Sequence, residues 1–165
     1  RKMKRAAAFI LILLTVTAAF AANVSTKTVN VSLDVVDTPE CAWFTSEPTL
    51  ASWSTASRMA EENEMAADGS EFSITAYAAL KTRSSKAWNV EVSWEDLKSE
   101  EGNTITLNAE MNGAAVNGKS LSLNTAASNE GLRVASNAVK FTTNGAANAL
   151  EGAYEANITL TCTAQ

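Results

Sequence analysis

The C-terminal stretch Glu151–Gln165 alternates regularly between apolar and polar side chains. The apolar positions are Tyr154, Ala156, Ile158, Leu160 and Cys162, and the polar ones are Glu155, Asn157, Thr159, Thr161 and Thr163. A period of two puts alternate side chains on opposite faces of a β-strand, so this strand has one face to bury. Because a lone strand cannot bury its apolar face, the rest of the chain must supply a sheet.

Similar alternation recurs along the chain at residues 29–35, 72–80, 88–94 and 105–111, and no helical period is sustained. Turn signals such as Asp68-Gly69, Asn112-Gly113 and Asn144-Gly145 separate the runs. This pattern predicts an all-β fold, a single immunoglobulin-like antiparallel β-sandwich of about seven to eight strands. The runs at 72–80 and 88–94 are joined by a short polar link and predict a hairpin, with Trp88 and Trp94 on its inner face.

The N-terminal residues have the layout of a secretory signal peptide. Basic residues at positions 1, 2, 4 and 5 precede an apolar run from Ala6 to Ala19, and Ala19-Phe20-Ala21 forms a cleavage site. We therefore expect a signal helix at residues 1–21 and the β-sandwich domain at 22–165. The protein would be exported to the periplasm, the cell surface or the medium, and would meet a membrane only through this peptide before cleavage. The alternative is a permanent anchor, but the run is short and contains Thr15 and Thr17.

Composition narrows the function. Without residues 1–21, nine basic side chains face 18 acidic ones, so nucleic acid is not expected as a partner. The chain has no histidine, which removes the commonest general base and metal ligand. The acidic runs at 61–68 and 95–101 match no calcium loop. We expect no enzyme activity, no catalytic or metal-binding residues and no cofactor.

The chain has two cysteines, Cys41 and Cys162. In an oxidising compartment an even count favours a disulfide, which would join the start of the domain to its last strand. Closing so long a loop contributes about 4–5 kcal/mol in the chain-entropy model. Because Cys162 shares a face with Leu160, this disulfide would be buried. Two buried free thiols are the alternative.

Tryptophan gives the one candidate for ligand contact. Trp88 and Trp94 share the inward parity of their strand, whereas Trp53 lies outside any clear strand. Trp53 is therefore the candidate glycan contact, although a tryptophan is also a common core residue.

Several of these features together resemble bacterial fimbrial subunits, particularly the spore coat protein U-like pilins of the chaperone–usher pathway. They are the signal peptide, the alternating strand from Thr26 to Val35, the early Cys41, and the closing Gly152-Ala-Tyr and Ile158-Thr-Leu-Thr. The resemblance implies a sandwich that lacks one strand, which the N-terminal segment of another subunit completes. The donated residues would be Val29, Val31, Leu33 and Val35.

Two readings of this N-terminal segment stay open, because it could equally be the first strand of its own domain. The first functional hypothesis is a structural or adhesive protein of the cell surface, a fimbrial subunit assembled by strand donation. Its partners would be copies of itself, in a homopolymer, or other surface subunits. The second hypothesis is a secreted carbohydrate-binding β-sandwich module, with a glycan as its partner.

Overall fold

The computed structural model describes residues 31–33 and 37–165. The chain divides into two units, Arg1–Val35 and Val36–Gln165. The predicted signal peptide and the positions Val29 and Val35 lie outside the described residues. Within the described ranges, no helix is long and apolar enough to cross a membrane.

The described part of the second unit contains ten strands and a short 3-10 helix at Ala146–Asn148. The strands are β1 (Glu40–Phe44), β2 (Ala66–Asp68), β3 (Glu71–Thr82), β4 (Trp88–Trp94), β5 (Leu97–Lys98), β6 (Thr104–Met111), β7 (Ala114–Ala115), β8 (Ser120–Thr125), β9 (Arg133–Asn144) and β10 (Ile158–Ala164). The predicted all-β fold is confirmed. The extra strands β2, β5 and β7 are only two or three residues long, too short to show an alternating pattern.

The strands form two antiparallel sheets. The larger sheet has the order β1-β3-β9-β6-β5, with β2 beside β3 and β7 beside β6, and the smaller sheet has the order β10-β4-β8. The inward residues of β4, from Trp88 to Trp94, are buried against residues of the larger sheet such as Leu107 and Phe141. The Trp94 and Phe141 rings meet edge to face with centroids 5.7 Å apart. The predicted core positions of Trp88 and Trp94 are therefore confirmed.

The predicted hairpin of residues 72–80 and 88–94 is wrong. Strand β3 pairs with β1 and β9, whereas β4 pairs with β10 and β8 in the other sheet. The link after Thr82 therefore carries the chain from one sheet to the other. Alternation shows which side chains face inward, but two strands that face each other across a core alternate just as two adjacent strands do.

The predicted Asn112-Gly113 turn is confirmed. Both residues have a positive φ, 52° and 78°, as a two-residue hairpin turn requires. The return strand is the short β7, and Leu121 and Leu123 lie in β8 of the smaller sheet. Phe141 lies in β9, a single strand of 12 residues.

The structure forms the Cys41–Cys162 disulfide, with the two Cα atoms 6.4 Å apart. The bond ties β1, at one edge of the larger sheet, to β10, at one edge of the smaller sheet. The expectation that it would be buried is wrong, because Cys41 is exposed and Cys162 only half-buried. Both cysteines lie on edge strands, which border solvent, so a side chain on the inward face of such a strand can still be exposed.

Trp53 lies in the core and is not a surface platform. Its side chain is 4% exposed and packs with Phe44 and Ala79 in a second apolar cluster. The Phe44 and Trp53 rings have centroids 4.9 Å apart, and the indole Nε1 donates a 2.8 Å hydrogen bond to Glu40 Oε2. The turns after Pro48 fold this irregular segment over the outer face of β3, which buries a tryptophan that no strand pattern marked.

Candidate interaction groove

A groove opens where the larger sheet extends beyond the smaller one. Strands β3 and β9 have 12 residues each, whereas β4 has seven. The last residue of β4, Trp94, packs on Phe141, whose strand partner in β3 is Ile74. Phe72 lies two residues further toward this end of β3. Phe72 is accordingly 45% exposed. The larger sheet therefore presents an uncovered apolar floor at this end.

Two irregular segments, residues 59–65 and 149–158, form the walls of the groove. The first contributes Met59 and Met65, and the second contributes Leu150, which is 66% exposed, together with Ile158. The groove has a volume of about 1520 Å³. Small-molecule pockets typically have a volume of about 300–1,000 Å³. This volume suits a peptide segment better than a small ligand.

Glu71 fixes the turn at one end of the groove. Its carboxylate accepts hydrogen bonds from Thr143 Oγ1 at 2.7 Å, Gly145 N at 2.9 Å and Ala146 N at 3.0 Å. These hydrogen bonds lower the pKa of Glu71 below its ordinary value, and the bond from Thr143 has the largest effect. The charged side chain thereby holds the start of the connection between β9 and β10, which continues as one wall.

The same wall leads into an open sheet edge. Lys98 and Glu155 exchange two backbone hydrogen bonds of 2.9 and 3.0 Å, which tie the wall to β5. Ile158 then lines the groove and also begins β10. In the described residues, β10 pairs on one side only, with β4. Unpaired N–H and C=O groups along such an edge can bind an added strand.

The groove has a strongly acidic border, which we call the glutamate rim. Among its lining residues only Lys98 is basic. The rim consists of Glu61, Glu62, Glu64, Glu95, Glu151 and Glu155, all exposed. An apolar floor with a rim of one sign suits a strand that has an apolar face and no net negative charge.

The described chain enters this domain at the opposite end of the sandwich, which we call the Asp37 end. Asp37 accepts hydrogen bonds from Thr82 Oγ1 and Arg83 N at 2.6 Å and from Ser84 N at 3.1 Å. Burial acts to raise the pKa of Asp37, but these hydrogen bonds outweigh it and lower the pKa. Thr82 ends β3 and Ile74 lies near its start, so about 27 Å separates Asp37's partners from the groove.

The predicted site residues are in different situations. Val31 and Leu33 are 90% and 85% exposed, whereas Val29 and Val35 lie outside the described residues. Cys41 and Cys162 are bonded, and Trp53 is buried. Within residues 31–33 and 37–165, no three acidic or cysteine side chains converge as a metal site would require. The sequence did not predict the groove, because the groove depends on the unequal lengths of strands that face each other in the two sheets.

No protein-family model and no curated protein matches the chain. The chain is similar to the CooA pilin subunit from enterotoxigenic Escherichia coli, with 13% identity and a TM-score of 0.45, over 75% of this chain and 86% of that one. It is also similar to a chain in a chaperone–tip adhesin complex of CFA/I fimbriae biogenesis, with 17% identity and a TM-score of 0.33. That match covers 64% of this chain and 39% of the other.

Proposed function

We propose that the protein is a structural subunit of a cell-surface polymer. In this proposal residues 23–36, which we call the leading segment, leave one subunit and add a strand to the next. The segment's side chains Val29, Val31, Leu33 and Val35 enter the groove, and its backbone pairs with the open edge of β10. The proposal includes export through the signal peptide at residues 1–21.

One observation carries this proposal: apolar side chains are exposed on both partners of the suggested contact. Val31 and Leu33, two residues apart with Ser32 between them, are almost fully exposed. Phe72 and Leu150 are exposed in the groove. Alternating apolar side chains are what a strand needs to seat one face in a groove while its backbone extends a sheet.

The magnitudes favour a strand over a looser contact. Burying four Val or Leu side chains gains about 6–12 kcal/mol before any costs. Association costs an estimated 4–15 kcal/mol in lost freedom of motion, so side chains alone give a weak complex. Backbone hydrogen bonds to β10 supply the further stabilisation that a lasting polymer requires.

The arrangement of the two ends supports an open polymer. The domain begins at the Asp37 end and the groove lies at the other end, so donor and acceptor surfaces are different patches of the molecule. A contact between unlike patches is heterologous, and it produces chains or fibres unless its rotation closes a ring. Each added subunit then offers a new groove.

The test is multimer formation by the purified chain that starts at residue 22, measured on unheated SDS gels. We expect a ladder of SDS-resistant multimers for this chain and its loss when residues 22–36 are removed. V31D/L33D should also abolish the ladder, since it places two carboxylates on the apolar face of the segment.

The matched control is N30D/S32D, which adds the same charge to the polar face of the same segment and should keep the ladder. A synthetic peptide of residues 23–36 should bind to the shortened chain, and more weakly when Phe72 is changed to Asp. T75D, on the other face of β3, is the control for that change. A monomeric parent chain at all concentrations, or a ladder that survives V31D/L33D, would refute the proposal.

The carbohydrate-binding alternative gains no support. Its candidate contact Trp53 is buried beneath turns and bonded to Glu40. No exposed tryptophan replaces it among the described residues, where Trp88 and Trp94 are core residues and Trp43 is half-buried.

A further inference from the structure

We infer that the β3–β4 turn of one copy, residues 83–86, packs against the glutamate rim of the next copy. The opposite charges of these two surfaces set the direction in which copies stack. This inference rests on the proposed function and names the second contact between copies that strand donation brings about. It concerns folded surfaces of the domain and not the leading segment.

The tether between the segment and the turn supports the inference. Asp37 directly follows the leading segment, and its carboxylate is bonded to the backbone of Arg83 and Ser84. An extended chain spans about 3.3–3.6 Å per residue. When Val35 of one copy sits in the groove of the next, the turn beside Asp37 therefore lies within roughly 10 Å of the groove's mouth.

The turn brings positive charge to that place. Arg83 and Lys86 are exposed, and Arg133 is nearby because its Nη2 donates a 2.9 Å hydrogen bond to the Lys86 carbonyl. Among the acidic side chains at this end, the carboxylate of Asp37 is occupied by the turn, Glu40 is paired with Lys81 at 2.7 Å, and Glu130 lies in the loop that bonds to Ser85 through Ser128. The exposed charges of the turn itself, Arg83 and Lys86, are both basic.

The opposite arrangement is unfavourable. Two groove ends that met would oppose two glutamate rims, each with six carboxylates and one lysine. Repulsion between like charges suppresses such encounters, whereas attraction of the turn to the rim speeds productive ones by about 10–1,000-fold at low salt. The rim therefore favours head-to-tail encounter and disfavours contact between two grooves.

The test compares rates of multimer formation in about 20 mM and about 500 mM NaCl. R83Q/K86Q lowers the net charge by two at the turn, and S120E/S122E lowers it by two on the outer face of β8, the edge strand furthest from β10. We expect R83Q/K86Q to slow assembly about tenfold in low salt and less than about twofold in high salt, where screening removes the attraction. S120E/S122E should assemble at close to the parent rate.

A charge swap gives the second arm. R83E/K86E should assemble poorly alone, and adding E61K/E62K to the same chain should restore most of the rate. Equal low-salt rates for R83Q/K86Q and S120E/S122E, or no rescue by the swap, would overturn the inference. If V31D/L33D still abolishes the ladder, either result leaves the strand-donation proposal intact. Failure of this inference can therefore be distinguished from failure of the proposed function.

Discussion

The indole Nε1 of Trp94 donates a 2.9 Å hydrogen bond to the carbonyl oxygen of Leu107, and this bond joins the two sheets at the point where the smaller one ends. Trp94 is the last residue of β4, and Leu107 is an inward residue of β6. The floor of the groove begins beyond this contact. The pair therefore anchors the boundary between the closed core and the open groove.

We expect W94F to be more destabilising than W88F. Both tryptophans are buried in β4, but Trp88 Nε1 has no hydrogen-bond partner in the described part of the protein. Replacing Trp94 removes a buried bond to a carbonyl, whereas replacing Trp88 removes a donor that bonds to nothing. The free energy of unfolding in urea should fall by about 1–2 kcal/mol more for W94F. Equal losses would show that the bond to Leu107 contributes nothing.

Loss of the disulfide should lower stability without changing the fold. Cys41 and Cys162 are 121 residues apart, so in the chain-entropy model C41S/C162S should lose about 4–5 kcal/mol of unfolding free energy. Reducing agent should destabilise the parent protein by a similar amount and leave C41S/C162S unaffected. Urea unfolding with and without dithiothreitol measures both, and a parent protein indifferent to reduction would contradict the expectation.

Acid should weaken the anchor at Asp37. A carboxyl group with a lowered pKa binds fewer protons in the folded state than in the unfolded state around its ordinary value of 3.8. Its contribution is therefore present above that value and is lost as the pH falls through the folded-state pKa. We expect D37N to be less stable than the parent at pH 7, and the difference in unfolding free energy to shrink as the pH falls below 3.8.

The control for Asp37 is E130Q, a neutral substitution of an exposed carboxylate in the loop near the same end. Urea unfolding at a series of pH values should give parallel curves for E130Q and the parent, and converging curves for D37N and the parent. A difference between D37N and the parent that is independent of pH would rule out the carboxylate's charge as the cause.

Trp53 should act as a core residue. W53A removes the ring that packs on Phe44 and the donor to Glu40, so it should cost about 3–5 kcal/mol of unfolding free energy. W53F keeps an aromatic ring and should cost less. An unfolding midpoint for W53A equal to that of the parent would contradict the buried position and reopen a surface role for Trp53.

Local chemistry made part of this structure predictable from the sequence. The alternating pattern predicted which side chains of β3, β4, β6 and β10 face inward, because successive side chains on a strand point to opposite faces of the sheet. The Asn112-Gly113 pair predicted a turn at its own position, because both residues tolerate a positive φ. The count of two cysteines left one possible pairing.

Only the tertiary structure determined which strands are neighbours and which apolar surface stays exposed in the groove. A period of two does not distinguish a partner in the same sheet from one across the core, so the predicted β3–β4 hairpin became a crossover between sheets. Trp53 is buried by long-range packing that leaves no local pattern. The groove exists because β3 and β9 are longer than β4, and no local pattern in the sequence records how far a strand extends beyond another strand across the core.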